Sequence, residues 1–106
     1  MPVKAFFRPQ AEADLLALYS YIAETSGPVI AGNYIDRIEA VCQSLATFPN
    51  RGTKRDDIVP GLRTITLARR TTIAYRVQKT RVEVVTIAYA GRDFESELRD
   101  DEQSNR

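Results

Sequence analysis

Between Gly61 and Gly91 the chain reads GLRTITLARRTTIAYRVQKTRVEVVTIAYAG, and no other stretch limits the fold as strongly. Leu62, Thr64 and Thr66 alternate with Arg63, Ile65 and Leu67, and Ile73, Tyr75 and Val77 alternate with Ala74 and Arg76. Alternation at period two marks strands with one wetted face. Val82 to Tyr89 is instead apolar at almost every position, the pattern of a strand covered on both faces. This third strand is therefore expected at the sheet's centre. β-Branched and aromatic residues dominate all three, as a pleated surface prefers. The links, Arg69-Arg70 and Gln78 to Arg81, leave room only for antiparallel hairpins.

Ahead of this sheet the period changes. Val3 to Phe7 predicts a short strand closed by Arg8-Pro9, and Pro9 suits the first position of a helix because its missing N–H costs nothing there. Ala11, Leu15, Leu18, Tyr19 and Ile22 form one apolar stripe at helical spacing, with Glu12 and Asp14 placed favourably against the helix dipole. Gly27-Pro28 ends this helix and begins the next. Ala31, Tyr34, Ile35, Ile38, Val41, Cys42 and Leu45 then carry the stripe of a second helix, which Phe48-Pro49 stops. Two singly striped helices joined by a tight turn make an antiparallel hairpin, and neither buries its stripe alone. The expected fold is α+β, with order β-α-α-β-β-β and the hairpin packed on a mainly antiparallel sheet. The charged segment Asn50 to Pro60 reads as an exposed loop, Glu95 to Leu98 as one helical turn, and the rest as a frayed end. Residues 1–94 form the expected domain and 95–106 an acidic tail.

Charge is unevenly spread. Residues 51–92 hold ten basic and three acidic side chains, whereas 93–106 hold two basic and six acidic, so a net charge of +1 conceals a basic sheet. A surface of this kind suits an acidic partner or nucleic acid, and equally a solvated strand face with dispersed charge. With 106 residues, 43% of them hydrophobic, the chain can bury roughly two-thirds of its unfolded surface around one core. The single cysteine, Cys42, excludes an internal disulfide and suits the cytosol. No apolar run is long enough to span a bilayer, and MPVKAFFRPQ lacks a signal peptide's apolar core, so a cytoplasmic location is expected.

The residue inventory restricts the chemistry. There is no histidine, hence neither the usual general base near neutral pH nor the commonest metal ligand. One cysteine on an apolar stripe reads as a core thiol, and no zinc site or thiol–imidazole pair can be built. No phosphate-cradling glycine loop or nucleophile elbow is present, and Asp56-Asp57 and Asp100-Asp101 read as solvated charge. No catalytic residue, metal or cofactor is expected. Arginines remain: they can stabilise a transferring phosphoryl group without histidine, or clamp the carboxylates of an acidic peptide.

Taken together, Ala13-Asp14-Leu15, Tyr21-Ile22-Ala23, LATFPNRG from Leu45 to Gly52, Gly61-Leu62-Arg63, Tyr75-Arg76-Val77, Val82 to Ile87 and Gly91-Arg92-Asp93 occur in an order that resembles the ParE toxins of the RelE/ParE superfamily. Single pieces are weakly specific, but their joint order covers roughly residues 3 to 94. The resemblance implies the toxin of a bacterial type II toxin–antitoxin pair, with a helical hairpin on an antiparallel sheet. ParE-like members act on DNA gyrase, trapping it on cleaved DNA. RelE-like members cut mRNA in the ribosome with several basic residues and a C-terminal tyrosine. On this chain those basic positions fall near Arg63, Ile65, Thr72 and Arg92, and the tyrosine position near Leu98. Ile65, Thr72 and Leu98 can neither stabilise phosphate nor move a proton, which favours the ParE branch over the ribosome-dependent RNase. A third alternative is an inactive toxin fold that serves only in repression with its antitoxin.

The partner implied is a ParD-like ribbon-helix-helix antitoxin whose flexible tail folds onto the basic sheet and beside the hairpin. DNA is met only through the antitoxin or gyrase. Arg51, Arg63, Arg69, Arg70, Arg76 and Arg92 are the expected partner-binding residues, steering capture and register. For Arg92 a local ion pair with Asp93, fixing the exit of the last strand, is the alternative.

Overall fold

The computed structural model describes residues 4–104. Its elements are β1 (Lys4–Phe7), α1 (Pro9–Ser26), α2 (Pro28–Thr47), β2 (Thr53–Lys54), β3 (Leu62–Leu67), β4 (Thr71–Val77), β5 (Arg81–Tyr89) and α3 (Phe94–Ser104). The strands form a single sheet in the order β1-β5-β4-β3-β2. Only β1 runs parallel to its neighbour, from Lys4 beside Arg81 to Phe7 beside Val84. The expected α+β architecture is present, and Val3, the expected first residue of β1, lies outside the described residues. The mostly apolar strand β5 is interior and buried from Val82 to Ala88, Glu83 and Thr86 included, but β4 occupies the middle of the sheet.

Both helices of the hairpin, α1 and α2, begin at proline. Pro9 follows Arg8 in extended backbone, and Pro28 follows Gly27, whose φ of 95° lies where a side chain would be strained. Gly27 thus ends α1, its N–H donating to Ala23 O, and starts α2 in the same residue. The buried line of α1 is Ala11, Asp14, Leu18 and Ile22, so a carboxylate stands where the period calls for an apolar side chain. Tyr19, placed on the stripe by spacing, lies at its exposed rim. Opposite it α2 buries Ala31, Ile38, Cys42 and Leu45. Ala31, Ile38 and Cys42 meet Ile73, Val84 and Ile87 of the sheet, with Phe7, Tyr34, Ile65, Leu67 and Tyr89 around them, while Leu45 packs with Tyr75 and Val82. Each such large aliphatic side chain contributes about 1.5–3 kcal/mol on burial.

A bulge lets β5 serve this layer. Ala74 pairs with Thr86 but Tyr75 pairs with Val84, leaving Val85 unmatched. Strict alternation would send Val84 and Ile87 to opposite faces; the extra residue brings both beneath the helices. Val85 and Ala88 face the other way, into a second cluster with Ile58, Val59, Leu62, Ala74 and Phe94, against which Leu98 packs.

This second layer departs from the sequence expectation in two places. The segment from Asn50 to Pro60 is held down, with Ile58 and Val59 buried and Thr53 and Lys54 paired antiparallel to Thr64 and Arg63. The C-terminal turn expected over Glu95 to Leu98 continues as helix to Ser104. Phe94 and Leu98, four residues apart, give α3 the two apolar contacts that seat it on the sheet. Asp93 caps it, its Oδ1 accepting from Ser96 N at 3.2 Å. Arg55 Nη2 reaches Glu95 Oε1 at 3.0 Å and binds α3 to the loop. No helix among the described residues is long and apolar enough to cross a membrane.

Candidate functional site

Two hydrogen-bonded latches and a set of outward arginines organise the surface of the sheet. The first latch lies where β1 ends. Pro9 diverts the chain into α1 after Phe7, so beyond Val84 the outer edge of β5 has no strand beside it. Asp14 takes the strand's place: its Oδ2 accepts from Ile87 N at 2.9 Å and from Thr86 Oγ1 at 2.5 Å. Its Oδ1 accepts from Gln10 Nε2 at 2.8 Å and from Arg92 Nη1 at 2.6 Å. Arg92 also forks onto Glu97, with Nε to Oε2 at 2.9 Å. Burial alone pushes the Asp14 carboxyl upward, but the hydrogen bonds from Thr86, Ile87, Gln10 and Arg92 outweigh it and hold the group below the ordinary carboxylate range. Glu97 and Asp14 raise the affinity of the Arg92 guanidinium for its proton against the opposing effect of burial.

The Arg92–Asp93 ion pair is therefore not what forms. Arg92 faces Asp14 and Glu97, while Asp93 caps α3. Adjacent residues at a strand exit point apart, whereas Asp14, 78 positions away in sequence, is brought in by the packing of α1 on β5.

The second latch closes the opposite end of the sheet. Tyr75 is fully buried, its hydroxyl donating to Pro49 O at 2.9 Å and accepting from Gly52 N at 2.8 Å. A Cβ on Gly52 would lie 2.6 Å from the Tyr75 hydroxyl and 2.8 Å from Thr64 O, so no side chain fits there. Arg63, paired across the ladder with Tyr75, donates from Nη1 to Asn50 O at 3.2 Å and Gly52 O at 2.9 Å. Leu45 and Val82 pack with Tyr75 beneath. The pieces LATFPNRG, Gly61-Leu62-Arg63 and Tyr75-Arg76-Val77 converge at this point, and Ala13-Asp14-Leu15 converges with Gly91-Arg92-Asp93 at the first latch.

The six arginines thus fall into separate groups. Arg63 and Arg92 hold the latches. Arg51 is exposed beside the second latch, Nη1 donating to Ser44 Oγ at 3.1 Å. Arg76 stands across from Glu83 and shares a face with Leu62, away from the helical hairpin. Arg69 and Arg70 form the exposed β3–β4 hairpin tip at the far end of the sheet, where Ala68 and Arg69 adopt positive φ of 53° and 63°. Positive φ at both central residues is what a tight two-residue turn demands, and here no glycine relieves it. The structure brings Arg51 and Arg63 together and places the others apart from them. Asp14 was legible as an acidic residue on an apolar stripe, a signal that the dipole reading did not use.

RelE-type chemistry would need free cations and a proton carrier on one surface. Ile65 packs into the hairpin core and Leu98 onto the second cluster. Among the described residues no group of acidic or thiol side chains is arranged to hold a metal. Cys42 is buried, and burial, with the Glu39 charge adding to it, pushes its thiol up to about 12.

Comparison with known proteins agrees with this arrangement. The family model described as the ParE toxin of the type II toxin–antitoxin system, parDE, matches residues 5–94. Toxin ParE3 of Caulobacter vibrioides is 37% identical over 54 residues, a segment spanning 51% of this chain and 54% of that protein. A chain from the chromosomal ParDE system of P. aeruginosa superposes with a TM-score of 0.73 at 28% identity, covering 84% of this chain and 97% of the other. The RelBE2 toxin–antitoxin complex of Mycobacterium tuberculosis shares the fold at a TM-score of 0.57 and 19% identity, covering 84% of this chain and 99% of the matched chain.

Proposed function

Because this chain belongs to the ParE toxin family of type II toxin–antitoxin systems, we propose that it poisons DNA gyrase by binding and is neutralised by a ParD-like ribbon-helix-helix antitoxin. The observation that carries the non-enzymatic reading is the use of Arg63 and Arg92. Both cations at positions that an RNase of this fold would need are engaged with the protein's own carbonyls and carboxylates. No histidine is present to move a proton. Groups that act as a unit in phosphoryl chemistry lose nearly all activity when several are missing. What is left is recognition, which takes place in the cytoplasm.

Two surfaces suit the antitoxin. On the outer side of the hairpin, Leu15, Leu16, Tyr19 and Ile35 line an open groove of about 370 Å³ rimmed by Glu12 and Glu39. An amphipathic helix with basic flanks fits this groove, and its apolar anchors supply most of the affinity. At the hairpin tip Arg69 and Arg70 attract an acidic extended segment and set its register. Arg51 and Arg76 are left for contact with partner or target. The test is a supercoiling assay with purified gyrase, toxin and the antitoxin. Toxin alone should stop supercoiling, and equimolar antitoxin should restore it. Supercoiling untouched at toxin excess would remove the gyrase reading while leaving family membership intact.

A further inference from the structure

Phe48 closes α2 and is 62% exposed, although the turn beside it is held by the second latch. Its side chain takes no part in the latch bonds, which Tyr75, Pro49, Gly52 and Arg63 make. Phe48, Pro49, Asn50, Arg51 and Thr47 line an open concavity of about 410 Å³. Arg51 Nη1 rests on Ser44 Oγ, one helical turn below Phe48, which places the guanidinium along the same side of α2 as the ring. Lys54, exposed on β2, is paired with Arg63, whose guanidinium reaches the carbonyls on either side of Arg51. Arg51 thus borders the exposed ring, and Lys54 and Arg63 lie on the two strands that pair beside the same turn. In the neighbouring loop Asp57 is paired with Arg55, while Asp56 accepts from Gly61 N and keeps its charge.

We propose that this patch binds single-stranded nucleic acid, with Phe48 stacking on a base and Arg51 and Lys54 contacting the flanking phosphates. A positively charged track with an aromatic platform is the recurrent solution for unpaired strands, since every base has a π-face. An acidic peptide is the weaker fit. A docked helix needs several apolar anchors along a groove, and here one ring stands out alone. The carbonyl end of α2 repels phosphate, and Arg51 and Lys54 set two full charges against that partial one. The proposal deepens the gyrase reading by naming the exposed strand of cleaved DNA as what the toxin touches, yet its chemistry needs no gyrase.

The experiment is fluorescence anisotropy of the full chain with labelled 15-nucleotide oligo(dT) and oligo(rU), without gyrase. Phe48→Ala should weaken binding about tenfold, and Phe48→Trp should retain it. Arg51→Ala and Lys54→Ala should each lower the salt slope by about 0.7, whereas Lys79→Ala, an equal charge change in the β4–β5 turn, should not. Tighter binding of one oligonucleotide identifies DNA or RNA as the source, and equal binding supports the shared chemistry. Binding indifferent to Phe48→Ala, competition by poly-glutamate equal to that by oligonucleotide, or no binding at low salt would overturn the proposal. Since gyrase is absent, failure here is distinct from failure of the supercoiling assay.

Discussion

Replacing Asp14 with alanine tests how the helical hairpin is fixed to the sheet. Asp14 is 8% exposed and its carboxyl receives four hydrogen bonds from three parts of the chain: Gln10 in α1, Thr86 and Ile87 in β5, and Arg92 beyond the strand. Removing one partner of a buried ion pair costs about 3–5 kcal/mol. Arg92 is 31% exposed and keeps Glu97, so its share is smaller here. The orphaned Ile87 N–H adds about 1–3 kcal/mol, because no strand lies at that edge to accept it. A total near 3 kcal/mol should lower the melting temperature by about 10–20 °C in a domain of this size. Circular dichroism gives the temperature, and hydrogen exchange at the Ile87 amide reports the edge itself. The folded carboxyl titrates below its unfolded value of about 3.9, so its contribution is complete above that pH and is lost as the pH falls through the lower folded value. The gap between wild type and variant should therefore be constant from about pH 5 to 8 and narrow below about pH 4. A melting temperature within 3 °C of wild type, or unchanged protection at Ile87, would refute the reasoning.

At the second latch, Tyr75→Phe leaves Gly52 N and Pro49 O without the hydroxyl between them, and should cost about 1–3 kcal/mol in a denaturant titration. Gly52→Ala forces its Cβ against the Tyr75 hydroxyl and Thr64 O and should cost about as much. Cys42, with its thiol pushed up to about 12, should resist a colorimetric disulfide reagent at pH 8 until the protein is denatured. Arg69→Glu with Arg70→Glu should slow antitoxin association at low salt by about tenfold or more with little effect on dissociation, as read by stopped-flow fluorescence.

Local pattern carried most of the fold. The period-two stretches of β3 and β4, the nearly continuous apolar run of β5 and the two helical stripes all lie where their spacing puts them, since each element buries a face that its own residues define. What the spacing could not reveal depends on distant pairing. β1 runs parallel to β5 across more than seventy residues, and β2 is two residues long, too short for any period. The bulge at Val85 changes the face of half a strand without changing its apolar character. The C-terminal helix carried a weak signal in Phe94 and Leu98, masked by the acidic residues between and after them. For the candidate site, arginine count identified the right residue type but not its use. Arg63 and Arg92 are turned inward by acceptors that only the folded chain assembles, and Asp14 read as a dipole-friendly surface acid because its partners lie 72 to 78 residues on.

The decisive measurement is stoichiometry. A protein that acts by holding its target cannot inactivate more gyrase than there are toxin molecules, whereas a catalyst can. With gyrase in tenfold excess over toxin and supercoiling followed to completion, the fraction of enzyme trapped on cleaved plasmid should stay near the toxin-to-gyrase ratio however long the incubation. Gyrase loss that keeps growing with time, or turnover of ribosome-bound message by purified toxin at the same ratio, would contradict a binding mechanism.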